Sequence, residues 1–160
     1  MGFMMDQTDR KIVRELQDNA RLTNQELAER INLSPSPCLR RVRNLEKKGI
    51  IKGYTAIIDQ ERYGLGINVF VQIRLERQTE ELINVFEQHV NEIEEIMECY
   101  VITGANDYLL HIVSENLKSY EHFMKEKLTK IPGIGTIETS IAFSQVKKKH
   151  DFPSLSFFST

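Results

Sequence analysis

The chain has 160 residues, 41% of them hydrophobic and 28% charged, with a formal net charge of −2; that apolar content excludes a disordered chain and is enough for one globular core or two small ones. No apolar run approaches the length of a bilayer span, and the start MGFMMDQTDRK turns polar too soon for a secretory signal, so a cytoplasmic protein with no membrane partner is expected. Cys38 and Cys99 form neither a metal pair nor a redox motif and are read as reduced, small, partly buried side chains.

The charge is unevenly spread. Residues 1–55 hold eleven Lys/Arg against seven Asp/Glu, a net +4, and residues 56–160 hold ten against sixteen, a net −6. Such a division suits a polyanion-binding module joined to one that avoids polyanions, although chance surface charge gives the same imbalance.

In chain order, Ile12, Val13, Leu16 and Ala20 repeat at helical spacing over 6–20, with Asp6 or Thr8 available as the cap. Thr23 and Glu26 form a capping-box pair that opens a second helix carrying Leu27, Ala28 and Ile31 on one side. A very short connection leads into SPSPCLRRVRNLEKKG, residues 34–49, in which Ser34 is placed to cap, Pro35 suits the first helical position and Gly49 suits the left-handed residue after the last turn. This is the spacing of a helix-turn-helix. On a wheel at about 100° per residue, Cys38, Leu39, Val42 and Leu45 share one face, and Ser36, Arg40, Asn44 and Lys47 share the opposite one, flanked by Arg41 and Arg43. IIKGYTAII (50–58) then reads as a short wing hairpin or as a strand leading out of the bundle. The first domain is placed at 1–55, with a linker over 56–66.

The rhythm changes after the linker. Residues 67–76 alternate as a strand through Val69, Val71, Ile73 and Leu75, and 80–91 repeat Leu82, Ile83, Phe86 and Val90 as a helix. Residues 96–103 and 108–113 read as two strands joined by a glycine-bearing hairpin, and Leu117 to Ile131 as a second helix, stopped by Pro132 and Gly133. A last strand covers 136–143. The order βαββαβ over 67–146 predicts a ferredoxin-like sheet with both helices on one face, and hence an α+β protein with a three-helix, winged helix-turn-helix domain in front. The other sheet face carries aromatic and β-branched residues, so it is expected to be covered by a second copy or by the basic, aromatic tail 147–160; a homodimer is preferred, because paired helix-turn-helix units read two half-sites.

Two stretches carry chemistry. For the 34–49 helix the alternatives are a solvated basic surface and insertion into the major groove of double-stranded DNA; the capped turn, the capped preceding helix and the charge division favour DNA. Ser36 and Arg40 then face bases, because the planar guanidinium fork matches two guanine acceptors, and Arg41, Arg43, Lys47 and Lys48 lie closer to phosphates. The second stretch is Gly104 to Asp107. Read alone, it is either an ordinary hairpin turn or a loop in which backbone N–H groups and the Asp107 carboxylate hold the two ends of an amino acid. His89, His111, His122 and His150 have no ligand spacing, no phosphate loop or nucleophile motif is present, and no catalytic set assembles, so neither enzyme activity nor a cofactor is expected.

Taken together, LSPSPCLRRVRNLEKKGIIKGYTAII (33–58), ECYVITGANDYLL (98–110) and IPGIGTIETSIAF (131–143) resemble the Lrp/AsnC family of feast/famine transcription regulators, over residues 6 to about 147. The resemblance implies a DNA-binding helix-turn-helix and a sensing domain of the RAM type, similar to ACT domains. It implies dimers that assemble further into tetramers or octamers, with an amino acid bound between dimers; association with the nucleoid is expected. By position it makes Pro35 to Lys48 the recognition helix, and the DNA contacts are expected on Thr23, Asn24, Ser34, Ser36, Pro37, Arg40, Arg41, Arg43, Asn44, Lys47 and Lys48. It places the effector site on Tyr100, Thr103, Gly104, Ala105, Asn106, Asp107 and Thr139. The family's Thr-x-Thr pair reads Ile137-Glu138-Thr139 here, which removes one hydroxyl. An architectural protein that wraps DNA with little sequence preference is the alternative.

Overall fold

The computed structural model describes residues 5–153 and divides them into two compact units, one formed by residues 5–57 together with 147–153, the other by 58–146. The tail thus joins the N-terminal unit. Grouped in this way, the first unit holds fourteen Lys/Arg against eight Asp/Glu, a net +6, and the second seven against fifteen, a net −8.

In the first unit, α1 (Gln7–Asp18) starts at Asp6, whose carboxylate accepts from the Asp9 N–H at 2.7 Å. Helix α2 (Asn24–Arg30) opens with the complete Thr23/Glu26 capping box. A tight turn with Asn32 in the left-handed region leads to α3 (Pro35–Lys47). Ser34 occupies the position before α3, yet its side chain accepts no hydrogen bond from the helix, so the expected hydroxyl cap is not made. The other end is closed as the sequence predicts. Gly49 has φ 70°, its N–H donates to the Glu46 carbonyl, and the Ile50 N–H donates to the Leu45 carbonyl. These two bonds satisfy carbonyls that the helix leaves open, and they require the positive φ that glycine adopts without strain.

Ile12, Leu27, Ala28, Ile31, Cys38 and Leu45 form the core of this unit. Leu39, expected on the anchored face of α3, is instead 38% exposed, because the centre of burial on the helix is the line through Cys38 and Leu45. The predicted wing is also absent: residues 51–58 pair in no strand among the described residues, and Tyr54, Ile57 and Ile58 are exposed.

The second unit is the predicted βαββαβ fold: β1 (Ile67–Leu75), α4 (Glu80–Glu92), β2 (Ile96–Val101), β3 (Tyr108–Ser114), α5 (Leu117–Glu126) and β4 (Ile134–Ala142). The strand order is β2-β3-β1-β4, with every neighbouring pair antiparallel. Val69, Val71, Ile73 and Leu75 alternate into a core with Phe86, Val90, Tyr120, Phe123 and Leu128, which is the period-2 pattern read from β1. Phe86 packs against Tyr108 with the rings tilted by 41° and their centroids 4.5 Å apart. Helix α5 ends earlier than its apolar spacing suggests. The Thr129 hydroxyl donates to the Met124 and Lys125 carbonyls, and Leu128–Lys130 continue only as one 3-10 turn.

Two substitutions test this division of labour. Phe86→Ala should destabilise the second unit by about 3–5 kcal/mol, and Gly49→Ala the first by about 1–2 kcal/mol, from forcing a Cβ into the left-handed region. Native-state hydrogen exchange reads each unit separately: the first variant should lose protection in β1 and β3, the second in α3.

Candidate nucleic-acid interface and effector loop

The outer face of α3 is exposed at Ser36, Arg40, Arg43, Asn44, Lys47 and Lys48, with Pro37 half-buried. Among the described residues, Arg40, Arg43 and Lys47 make no ion pair or hydrogen bond through their side chains. Glu46, the single acidic residue of α3, is drawn aside, since its carboxylate accepts from the Tyr54 hydroxyl at 2.9 Å. Burial and that carboxylate push the Tyr54 phenol up to about 12, so it remains a donor at neutral pH. Glu46 keeps its charge, but the bond to Tyr54 fixes where that charge sits.

Arg41 does not belong to it. Its guanidinium donates to Asp6 at 2.7 Å and to Asp9 at 2.8 Å, both in the first turn of α1, and Asp9 is buried. The Asp9 backbone N–H, and then Arg41, hold the Asp6 carboxyl below its usual value. Arg41 is therefore a bolt between α1 and α3, a correction to its expected place beside phosphates. Thr23 and Asn24 are likewise engaged within the unit. The Thr23 hydroxyl accepts from the Glu26 N–H and donates to the Glu26 carboxylate, and Asn24 Nδ2 donates to the Pro35 carbonyl at 2.8 Å. Asn24 thus ties the start of α2 to the start of α3. The Thr23–Glu26 pair follows its capping-box spacing, but the other contacts carry no spacing signal, since Asp6 and Arg41 are 35 residues apart and Asn24 and Pro35 eleven.

In the second unit the loop between β2 and β3 has Gly104 at φ 119°, with Thr103, Gly104 and Ala105 exposed. Asn106 is 7% exposed, and its Nδ2 donates to Gln72 Oε1 at 2.7 Å and to Glu138 Oε2 at 3.4 Å. Asp107 accepts from the Leu75 N–H at 2.8 Å with one carboxylate oxygen and from Gln78 Nε2 at 2.6 Å with the other, while its own N–H donates to the Ile73 carbonyl. Its carboxylate fastens the hairpin to the end of β1, so the part expected of it, an unengaged partner for an ammonium, is not how it stands here. Thr139 lies opposite Val71 on the helix side of the sheet and bonds the Tyr120 hydroxyl at 3.0 Å; Gln72 lies opposite Glu138 and Leu109, on the helix-free side, where Leu109 also faces Tyr100. The structure brings Asn106 together with Gln72 and Glu138, and it separates Thr139 from them by the thickness of the sheet. Gln72, Gln78 and Glu138 escaped the reading of the sequence, and only the odd-even alternation of β1 and β4 points to Gln72 and Glu138.

The helix-free face also carries Phe70, stacked on His111 at 5.0 Å, and His111 Nε2 lies 2.8 Å from Asn68 Oδ1. Phe70 and Tyr100 remain 38% and 51% exposed, an unusual amount of aromatic surface on a sheet.

Residues 68–152 match the family model described as the Lrp/AsnC ligand binding domain, and residues 5–52 match a winged helix-turn-helix DNA-binding model. The chain belongs to the Lrp/AsnC family. It is 39% identical to the transcriptional regulator AzlB of Bacillus subtilis over 153 residues, 96% of this chain and 98% of that protein. It is 38% identical to the leucine-responsive regulatory protein of Escherichia coli over 149 residues, 93% and 91% of the two chains. Among solved structures, it superposes on the transcriptional regulator NMB0573 from Neisseria meningitidis, determined as a complex with L-Met, with TM-score 0.90, 35% identity and coverage of 98% and 100%. An AsnC family regulator from Agrobacterium tumefaciens gives TM-score 0.90 at 34% identity, with 97% and 100% covered. This Lrp/AsnC chain is thus a DNA-binding transcriptional regulator with a ligand-binding domain, and not an enzyme. No helix among its described residues is long and apolar enough to cross a membrane.

The bolt and the offered face are separable. Arg41→Ala leaves the buried Asp9 carboxylate without its guanidinium and should destabilise the first unit by about 2 kcal/mol, whereas Arg40→Ala should change stability by less than about 0.5 kcal/mol. Acid should act on the same seam. A lowered Asp6 pKa stabilises the fold above the ordinary carboxylate range, and that contribution is lost as pH falls through the lowered value. Urea titrations at neutral and acidic pH should therefore show the gap between the parent and Arg41→Ala closing on acidification.

Proposed function

We propose that this regulator reads specific DNA half-sites through α3 and responds to an amino acid by changing its oligomeric assembly. The observation that carries the DNA half is the exposed α3 face, where Arg40, Arg43 and Lys47 have no partner among the described residues and Glu46 is turned to Tyr54. Ser36 and Arg40, near the helix start, read base edges; Arg43, Lys47 and Lys48 neutralise phosphates. Support for an amino-acid effector comes from the resemblance to the NMB0573 complex with L-Met and from the Gly104 loop, whose exposed backbone stands beside the buried Asn106. Tyr100, Thr103, Gly104, Ala105 and Asn106 form the reading face of that loop, with Asp107 fastening it. Thr139, on the opposite side of the sheet and bonded to Tyr120, is not part of that face.

The exposed aromatic sheet face favours a homodimer as the basic form, with tetramers or octamers built from it in the cytoplasm, on the nucleoid. An effector shifts such an assembly only by binding one form better than another. A second reading, a DNA-wrapping organiser with little sequence preference, is favoured by one observation, the net +6 of the DNA-binding unit, because phosphate attraction alone then supplies much of the affinity. Selection from random DNA separates the two: a compact half-site supports the regulator, and enrichment for bendability alone supports the organiser.

Arg40→Ala should weaken specific binding by about 1–3 kcal/mol and relax base preference at one position, while Lys47→Ala lowers affinity evenly across sequences and flattens the salt dependence by about one counterion. Equal, sequence-independent losses for both would show that α3 does not read bases in this orientation. For the effector, thermal shift and sedimentation with each of the twenty amino acids should reveal at least one that moves both quantities, and Asn106→Ala should abolish the response. No change with any amino acid would refute the sensing half.

A further inference from the structure

After the Gly49 turn the chain comes back beside α3. The Ile50 and Ile51 N–H groups both donate to the Leu45 carbonyl, at 3.0 and 3.3 Å, and both side chains are half-buried against the core of the first unit. Tyr54, eight residues beyond Glu46, is thereby returned to the flank of the helix. There it borders a groove of about 180 Å³ together with Leu39 and Val42. Leu39, Val42 and Glu46 follow one another at spacings of three and four, so they form one row along α3. Tyr54 borders the apolar part of that row, and its hydroxyl meets the acid at the row's end, donating to Glu46 Oε1 at 2.9 Å.

Glu46 has a competing partner within its own helix. Arg43 stands three residues before it, and an acid and a base at that spacing are neighbours on a helix surface. The chain makes short-range helical ion pairs elsewhere, Lys125 with Glu121 and Lys130 with Glu126. Here the pair is not made: the Glu46 carboxylate is bonded to Tyr54, and the exposed Arg43 side chain has no ion pair or hydrogen bond among the described residues. A hydroxyl donating to a carboxylate is a charge-assisted bond, and the raised phenol remains a donor at neutral pH. Tyr54 thus holds an acceptor that otherwise lies within reach of Arg43.

We propose that Tyr54 is a positioning residue for DNA binding, a role that rests on the reading of α3 as the helix that meets DNA. Its hydroxyl keeps the Glu46 carboxylate on the flank of α3, and Arg43 is left to neutralise a phosphate. Tyr54 itself touches no DNA; it acts through Glu46.

The test is fluorescence anisotropy of the full chain on a labelled duplex of arbitrary fixed sequence, over a salt series, since a phosphate contact does not depend on the bases. Tyr54→Phe, which keeps the ring, should weaken binding roughly threefold at low salt and flatten the salt dependence by up to about one counterion. Its unfolding midpoint in urea should stay close to that of the parent. On a Glu46→Gln background, where no charge is left to capture Arg43, Tyr54→Phe should cause no further loss, and on an Arg43→Ala background likewise. Equal losses with Glu46 and with Gln at position 46 would mean that Tyr54 contacts DNA itself or merely supports the fold, and would overturn the role. A loss that persists on the Arg43→Ala background would overturn Arg43 as the group protected. Binding unchanged by Tyr54→Phe but weakened by Arg43→Ala would sink the positioning role and leave α3 as the DNA helix. If Arg43→Ala and Lys47→Ala both leave binding unchanged, the reading of α3 fails, and the role of Tyr54 fails with it.

Discussion

The DNA-binding unit depends on the pair of carboxylates that hold Arg41. A helix as basic as α3 cannot keep every guanidinium on one side, because at 100° per residue Arg40, Arg41 and Arg43 fan over much of its circumference. One of them must point toward the bundle, and a cation there is tolerated only with partners. Asp6 and Asp9 at the start of α1 provide them, and Asp9 is buried in doing so. The same contact fixes the rotation of α3 about its axis, and with it which residues are offered outward. Asn24 adds a second tie at the start of α3, and the bonds through Gly49 set its end.

The ligand-binding unit uses the same economy of charge in a different setting. Asp107 looked like a ligand-binding carboxylate because it follows a glycine loop, yet a carboxylate at the end of a hairpin is also a strong acceptor for backbone N–H groups that a strand leaves open. The Leu75 N–H, beside the irregularity in the β1–β4 pairing, is such a group, and Asp107 accepts it. A residue can thus matter to the site by holding the loop, while Asn106, Gln72 and Glu138 provide the polar surface next to it.

The tail alters how the charge of the chain should be viewed. As a terminal segment, the run Lys147 to Lys149 was a basic stretch without assignment. Grouped with the first unit, it raises the difference between the two units to +6 against −8. The part of the tail that includes Phe157 and Phe158 lies outside the described residues. The described part runs beside α1, where Phe152 and Pro153 border a groove with Val13 and Ile50.

Local physics made much of this protein legible from its residues alone. Caps, the Pro35 start, the Gly49 stop and the 3.6- and 2-residue periodicities are properties of neighbours in sequence, and they placed the helices and strands of both units to within a few residues and the two sheet faces correctly. The family motifs, read together, implied a regulator of the Lrp/AsnC family. What the sequence could not determine are contacts between distant residues: Arg41 with Asp6 and Asp9, Asp107 with Leu75 and Gln78, Thr139 with Tyr120 on one side of the sheet and Asn106 with Glu138 on the other. Each depends on the rotation of a helix or the register of a strand, which packing sets only once the elements meet. The hydroxyl cap at Ser34 and the burial of Leu39 failed for that reason, since both were inferred from α3 alone, and its neighbours decided how it is turned.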